Sequence, residues 1–224
     1  MSEKPILFNT EMVRAIIDGR KTVTRRIIKP QPEAKLCYAF AGSDGLRGTW
    51  AYPDRNAWKS WGDEYRLPLI LHDPDRRWTP PCRGDDILWV RERFAVDDEG
   101  KYHYYADTNY IEPLSWKPSI HMPREAARIF LRVTNVRCGR LQNMTEDDAF
   151  LEGYGGCPGA HAELPCWVGG EQCDCGYWYC NHSVQEGFGR DIWDKTLKLK
   201  DIPECCWDAN PWVWVIEFER VDKP

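Results

Sequence analysis

Eight residues, GRKTVTRR from Gly19 to Arg26, carry four cationic side chains and two threonines. The chain around them is acidic, with 35 Asp and Glu against 30 Lys and Arg and a formal net charge of -5. A protein that coats nucleic acid non-specifically needs a broad basic footprint, which this balance excludes. A focused cluster remains possible. Arg20, Lys21, Arg25 and Arg26 suit the floor of a small nucleic-acid-type or nucleoside-type site. Further along, GDDILWVRERF brings Trp89 and Glu92 into one strand-like run. Alternation groups Val90 with Glu92, and Trp89 with Arg91 and Arg93. Trp89 is then a core residue or a platform for a stacked base. Glu92 is either a site carboxylate beneath Lys21 or the buried partner of Arg25 or Arg26. The ion pair is the stronger of the two readings, because carboxylates are rarely buried alone.

A second constellation points to metal. Cys157, His161, Cys166, Cys173, Cys175, Cys180 and His182 fall within one stretch between Cys157 and His182. Structural zinc takes four sulfur or nitrogen ligands in a tetrahedron, often from cysteines a few residues apart. The best set is Cys173, Cys175, Cys180 and His182, with Cys157, His161 and Cys166 as substitutes. A loop with no obvious core of its own gains order from such a metal. Cys205 and Cys206 are adjacent and cannot easily share one tetrahedron. The start MSEKPILFNTEMVRAI lacks the apolar core of a secretory signal, and no apolar run approaches the roughly 20 residues that span a bilayer. The expectation is a cytoplasmic protein without a membrane partner, in which clustered cysteines bind metal and do not form disulfides.

The elements that must position these groups are readable from local signals. NTEMVRAIIDGRK predicts a helix capped by Asn9 or Thr10, with Met12, Val13, Ile16 and Ile17 as its apolar face and Gly19 as its stop. TVTRRII reads as a strand. Residues 30–81 are rich in proline and tryptophan and form an insertion, with a hairpin expected around Ser43, Asp44 and Gly45. Ile87 to Phe94, Tyr102 to Ala106 and Arg128 to Arg137 read as strands. Pro211 to Val221, apolar on both faces, is a central one. MTEDDAFLEG predicts a short helix with Thr145 as its cap, Asp148 three residues on, and Gly153 at its end. SVQEGFGRDIWDKTLK predicts a further helix. The chain reads as one α+β domain, 1–224, with insertions at about 30–81 and 155–184.

The ordered set GRKTVTRR, RGDDILWVRE, MTEDDAFLEG and WVWVIEFERV resembles the ASCH domain, a branch of the PUA-like β-barrels, in the long form carried by phages and prophages. The resemblance implies a small barrel flanked by helices and a pyrimidine nucleoside or RNA as partner. A minimal ASCH enzyme removes the acetyl group from N4-acetylcytidine with a threonine nucleophile, a lysine base and a glutamate acid. Motif position carries these roles to Thr24, Lys21 and Glu152. Arg20, Arg25 and Arg26 would depress the lysine's pKa as the base role requires. Main-chain amides near Gly19, or the Arg25 guanidinium, would hold the oxyanion. In a regular strand Lys21 and Thr24 face opposite ways, so Lys21 must stay in the turn. The alternatives are a non-catalytic RNA or modified-base reader, and a ribonuclease using Lys21 with Glu152 or Glu92. A phage-encoded chain would work in its bacterial host's cytoplasm.

Overall fold

The computed structural model describes residues 2–32, 37–38, 50–51, 78–107, 115–155 and 183–224. The strands are β1 (Glu3–Leu7), β2 (Val23–Ile27), β3 (Cys37–Tyr38), β4 (Trp50–Ala51), β5 (Ile87–Arg91), β6 (Phe94–Val96), β7 (Tyr102–Tyr104), β8 (Phe130–Arg140) and β9 (Trp212–Val221). The α-helices are α1 (Thr10–Ile17), α2 (Glu146–Leu151), α3 (Val184–Phe188) and α4 (Ile202–Cys205). Five strands form a mixed sheet in the order β1-β5-β8-β9-β2. β1 runs parallel to β5, and the other pairings are antiparallel. β3 pairs with β4, and β6 with β7, as separate two-stranded sheets. The turn expected around Ser43, Asp44 and Gly45 lies outside the described residues.

The fold is α+β, and its main sheet is open. Strand order ends at β1 and β2, with no ladder joining them among the described residues. The two edges nonetheless come within one side chain of each other: Arg26 Nη2 donates to the Leu7 carbonyl at 2.7 Å. β9 lies between β8 and β2 and divides two cores, as its two apolar faces anticipate. Trp212, Trp214, Ile216 and Phe218 face a cluster that includes Phe8, Val13 and Leu88. Val213 and Val215 face the other, with Val23, Ala149, Phe188 and Trp193. Burying large apolar side chains on both faces contributes on the order of 2 kcal/mol per residue, which makes this strand the anchor of the domain.

Local signals hold where they were strongest. The Asn9 side chain accepts from the Met12 amide, capping α1, and Gly19 takes the left-handed conformation beyond it at φ 75°. Thr145 and Asp148 form a reciprocal capping box on α2. One strand was not foreseen and two expectations need correction. β1 carries no marked alternation and was not anticipated; it is a parallel edge strand recruited by β5. The run from Ile87 to Phe94 divides into β5 and β6, because the chain leaves one sheet for another. The helix expected over SVQEGFGRDIWDKTLK breaks after Phe188 into a π-turn, Gly189–Trp193, and a 3-10 turn, Asp194–Thr196. At Gly189 a Cβ would sit 2.2 Å from the Trp207 ring, so close packing dictates that backbone path.

Candidate active site: a buried lysine and glutamate

Lys21 stays in the turn, as the chemistry requires. The amides of Arg20 and Lys21 both bond the Ala15 carbonyl, at 2.9 and 3.0 Å. Lys21 then bridges to Glu152, the Thr22 amide donates to Leu151 at 2.9 Å, and β2 starts only at Val23. The Lys21 Nζ donates to Glu152 Oε2 at 2.6 Å, to the Glu152 carbonyl at 2.8 Å and to the Val23 carbonyl at 2.7 Å. An ammonium has three protons, and all three are engaged. Lys21 and Glu152 are 2% and 3% exposed, although 131 residues separate them. Burial is the main force lowering the Lys21 pKa; Glu152 opposes it, and Arg26 and Arg25 add smaller downward pushes.

Glu152 caps the end of α2 and also meets Arg25, whose Nη1 lies 3.2 Å from Oε1. The other arm of Arg25 reaches Asp148 Oδ2 at 3.1 Å. Asp148 and Glu152 are four residues apart, so one helix face presents both carboxylates to one guanidinium. Arg25 pairs across the sheet with Val215, on the side that faces α2. Thr24 and Arg26 pair with Ile216 and Trp214, on the opposite side. Thr24 is 2% exposed, and its hydroxyl is not among the three acceptors of the Lys21 ammonium. The Lys21 Nζ and the Arg26 guanidinium both lie over the Phe8 ring, at 5.5 and 5.2 Å from its centroid. Lysine and glutamate are thus in contact at the start of β2, while Thr24 is buried on the strand face opposite Arg25 and shares no hydrogen bond with either.

A cavity of about 560 Å³ opens beside this cluster. Its wall takes Lys4 and Ile6 from β1, Arg26 from β2, Leu88 from β5, and Trp214 and Ile216 from β9. Lys21, Thr24 and Glu152 do not line it. A second cavity, of about 180 Å³, lies past Ile27 and is lined by Arg25, Arg26, Trp193 and Lys198.

Other expected site residues fall elsewhere. Arg20 is a surface group bonded to Asp18 and to the Gly153 carbonyl. Arg25 is committed to two carboxylates, and the Gly19, Arg20 and Lys21 amides to carbonyls of α1, so the anticipated oxyanion donors are already occupied. Glu92 is buried, but its partner is Arg128, at 2.8 and 3.0 Å, and neither Arg25 nor Arg26. Burial raises the Glu92 pKa against the pull of Arg128. Trp89 packs with Ile87, Ala127, Phe130 and Val221, where its neighbours are core residues. The aromatic on the cavity wall is Trp214, which sequence reasoning missed. Its signal was the alternation of WVWVI, but only the register against Arg26 shows which tryptophan faces the cavity.

Cys157, His161, Cys166, Cys173, Cys175, Cys180 and His182 all lie outside the described residues. Among the described residues no group of three or more His, Cys, Asp or Glu is placed to hold a metal. No described helix is long and apolar enough to cross a membrane. Comparison with protein-family models, with curated proteins and with solved structures yields no match to this chain.

Proposed function

We propose that this chain is a nucleoside- or RNA-directed hydrolase of the PUA-like ASCH type, removing an acyl group from an N4-acylated cytidine. The observation that carries the reading is the buried Lys21–Glu152 contact of 2.6 Å at the start of the strand that carries Thr24. Proton transfer across that contact yields an amine and a carboxylic acid, which are the forms the reaction needs. In this scheme neutral Lys21 takes the proton of the Thr24 hydroxyl as the oxygen attacks the amide carbon. Glu152 protonates the departing cytosine nitrogen, and the C–N bond breaks. Water then attacks the acyl-threonine ester, releases the carboxylic acid and restores the hydroxyl. None of the three residues lines the cavity, so substrate entry requires the wall around Arg26 to open.

The test is incubation with N4-acetylcytidine, following the ultraviolet change to cytidine. The working pair, an amine with a carboxylic acid, holds one shared proton. kcat/KM should therefore hold level and then fall as rising pH removes that proton, below the ordinary lysine range because burial lowers the Lys21 pKa. Thr24→Ala and Lys21→Met should each lower kcat by at least about 100-fold. An unchanged rate in Thr24→Ala, or no turnover at any pH, overturns the hydrolase. A second reading, a non-catalytic nucleotide reader, is favoured by one fact: Arg26, and none of the trio, faces the cavity.

A further inference from the structure

We propose that the gap between the β1 and β2 edges of the open sheet is a docking site for an extended acidic peptide, which adds to β2 as a further strand. The site uses the backbone edge of β2 and not Lys21, Thr24 or Glu152.

Register decides which backbone groups face the gap. The Ile28 amide donates to the Trp212 carbonyl, and the Phe218 amide to the Thr22 carbonyl. Antiparallel pairs alternate between bonded and non-bonded residues, so Thr24 and Arg26 bond β9. Val23, Arg25 and Ile27 therefore turn their amides and carbonyls away from β9. The Val23 carbonyl is taken by the Lys21 ammonium, and α2 covers that end through the Leu151 carbonyl, which accepts from Thr22. The outward amides and carbonyls of Arg25 and Ile27 have no partner among the described residues. The β1 edge differs. The Ser2 carbonyl accepts from Ile87 and the Phe8 amide donates to Arg91, so the parallel ladder uses Lys4 and Ile6 and turns Glu3, Pro5 and Leu7 outward. Pro5 has no N–H, which blunts that edge. The Leu7 carbonyl is already held by Arg26. A strand can thus join β2, and Arg26 is the clasp that it displaces.

The 560 Å³ cavity follows this gap, with Lys4, Pro5, Ile6 and Leu7 of β1 on one side and Arg26 and Ile27 of β2 on the other. Its floor takes Leu88, Trp214 and Ile216, and the charged residues of its wall are all basic. Lys4 and Lys29 also meet Asp86 and Asp201 from outside the wall. Arg26 contacts the neutral Leu7 carbonyl and the Phe8 ring, so it is the group that an acidic side chain answers. Strand side chains alternate between faces, and every second one of an added strand enters the cavity. There apolar groups meet the floor and an acid meets Arg26. In this mode main-chain bonds supply affinity and the alternate side chains supply specificity. A polypeptide carries donors and acceptors at strand spacing, which is what the Arg25 and Ile27 edge requires.

The probe is a capped heptapeptide with threonine at its odd positions and valine, aspartate and valine at its even ones, titrated calorimetrically into the full chain. Two further versions carry N-methyl groups on the threonine amides or on the even amides, and a fourth has asparagine for aspartate. The parent peptide should bind and slow hydrogen exchange at the Arg25 and Ile27 amides. One methylated version should bind at least about tenfold more weakly, because alternate residues face β2. Loss with methylated threonines assigns an antiparallel strand and loss with methylated even residues a parallel one; either supports the site. Asparagine should weaken binding about fivefold. Ile27→Pro deletes an outward donor and leaves the β9 ladder intact, so it should weaken binding about tenfold; the methylated peptides decide if that variant fails to fold. No peptide binding up to about 1 mM, equal affinity for all the methylated and unmethylated versions, or binding of oligocytidylate in the peptide's place overturns the proposal. Turnover of N4-acetylcytidine on the same preparation bears on the hydrolase alone.

Discussion

Glu152 and Glu92 are both buried carboxylates, each held by a cation, and they are built differently. The two groups that hold Glu152, Lys21 and Arg25, have side chains 0% and 2% exposed. Glu92 is held in a two-point contact by Arg128, whose side chain is 27% exposed, stacks on Tyr104 and continues to Asp107 at the surface. The groups that touch Glu152 are shut off from water, and that network reaches the surface one step later, through Asp148 and Arg137. The cation on Glu92 is itself partly exposed. Desolvation dominates the energetics of a closed network, so removing one member leaves charges that nothing else can screen. Around Glu92, solvent takes over part of the lost partner's role. A closed arrangement is also the one in which a lysine pKa falls, which gives the Lys21 site its chemical interest.

The largest test of that contrast is Glu152→Ala. It strands Lys21 and leaves Arg25 with Asp148 as its remaining carboxylate, and should cost about 3–5 kcal/mol in denaturant unfolding. The double variant Lys21→Met with Glu152→Leu removes charge together with partner and should recover more than half of that loss. A double variant as unstable as the single would show that charge stranding is not the cause.

Gly153→Ala comes next. The glycine sits at φ 86°, and an added Cβ would lie 2.7 Å from the Ala15 Cβ and 3.3 Å from the Lys21 Cβ. A cost of about 1–3 kcal/mol is expected, together with a change in the Lys21 pH profile, because the clash bears directly on the lysine stem. A normal profile would mean that the turn adapts without moving Lys21.

The smallest effects come from the outer acids. Asp148→Ala should cost about 1 kcal/mol, since it removes both the Arg25 contact and half of the α2 capping box. Asp107 is 52% exposed, and Asp107→Ala should cost no more than about 0.5 kcal/mol. Equal costs for the two would erase the distinction between closed and open networks.

Much of the candidate site was legible because its signals are local. The charge cluster after a glycine-stopped helix marked the region, and strand alternation required Lys21 to stay in the turn. The pairing of Lys21 with Glu152 came only through a family resemblance, since nothing near Lys21 in sequence specifies a partner 131 residues away. The expected partner of Glu92 was wrong for the same reason. Arg25, Arg26 and Arg128 are equivalent by type, and sheet order alone decides which is adjacent. Trp89 was the stacking candidate and Trp214 was missed, because residue type does not distinguish them; register places one against a core cluster and the other on a cavity wall.

By itself the sequence determined the helix caps, the glycine stops, the apolar faces of β9 and the position of the cationic turn. Each depends on backbone conformation or side-chain type within a few residues. Tertiary structure decided the open sheet, the recruitment of β1, the break after Phe188 and the closure of charges around Glu152. These depend on which distant surfaces meet, and burial energy is set by that meeting and by no single segment.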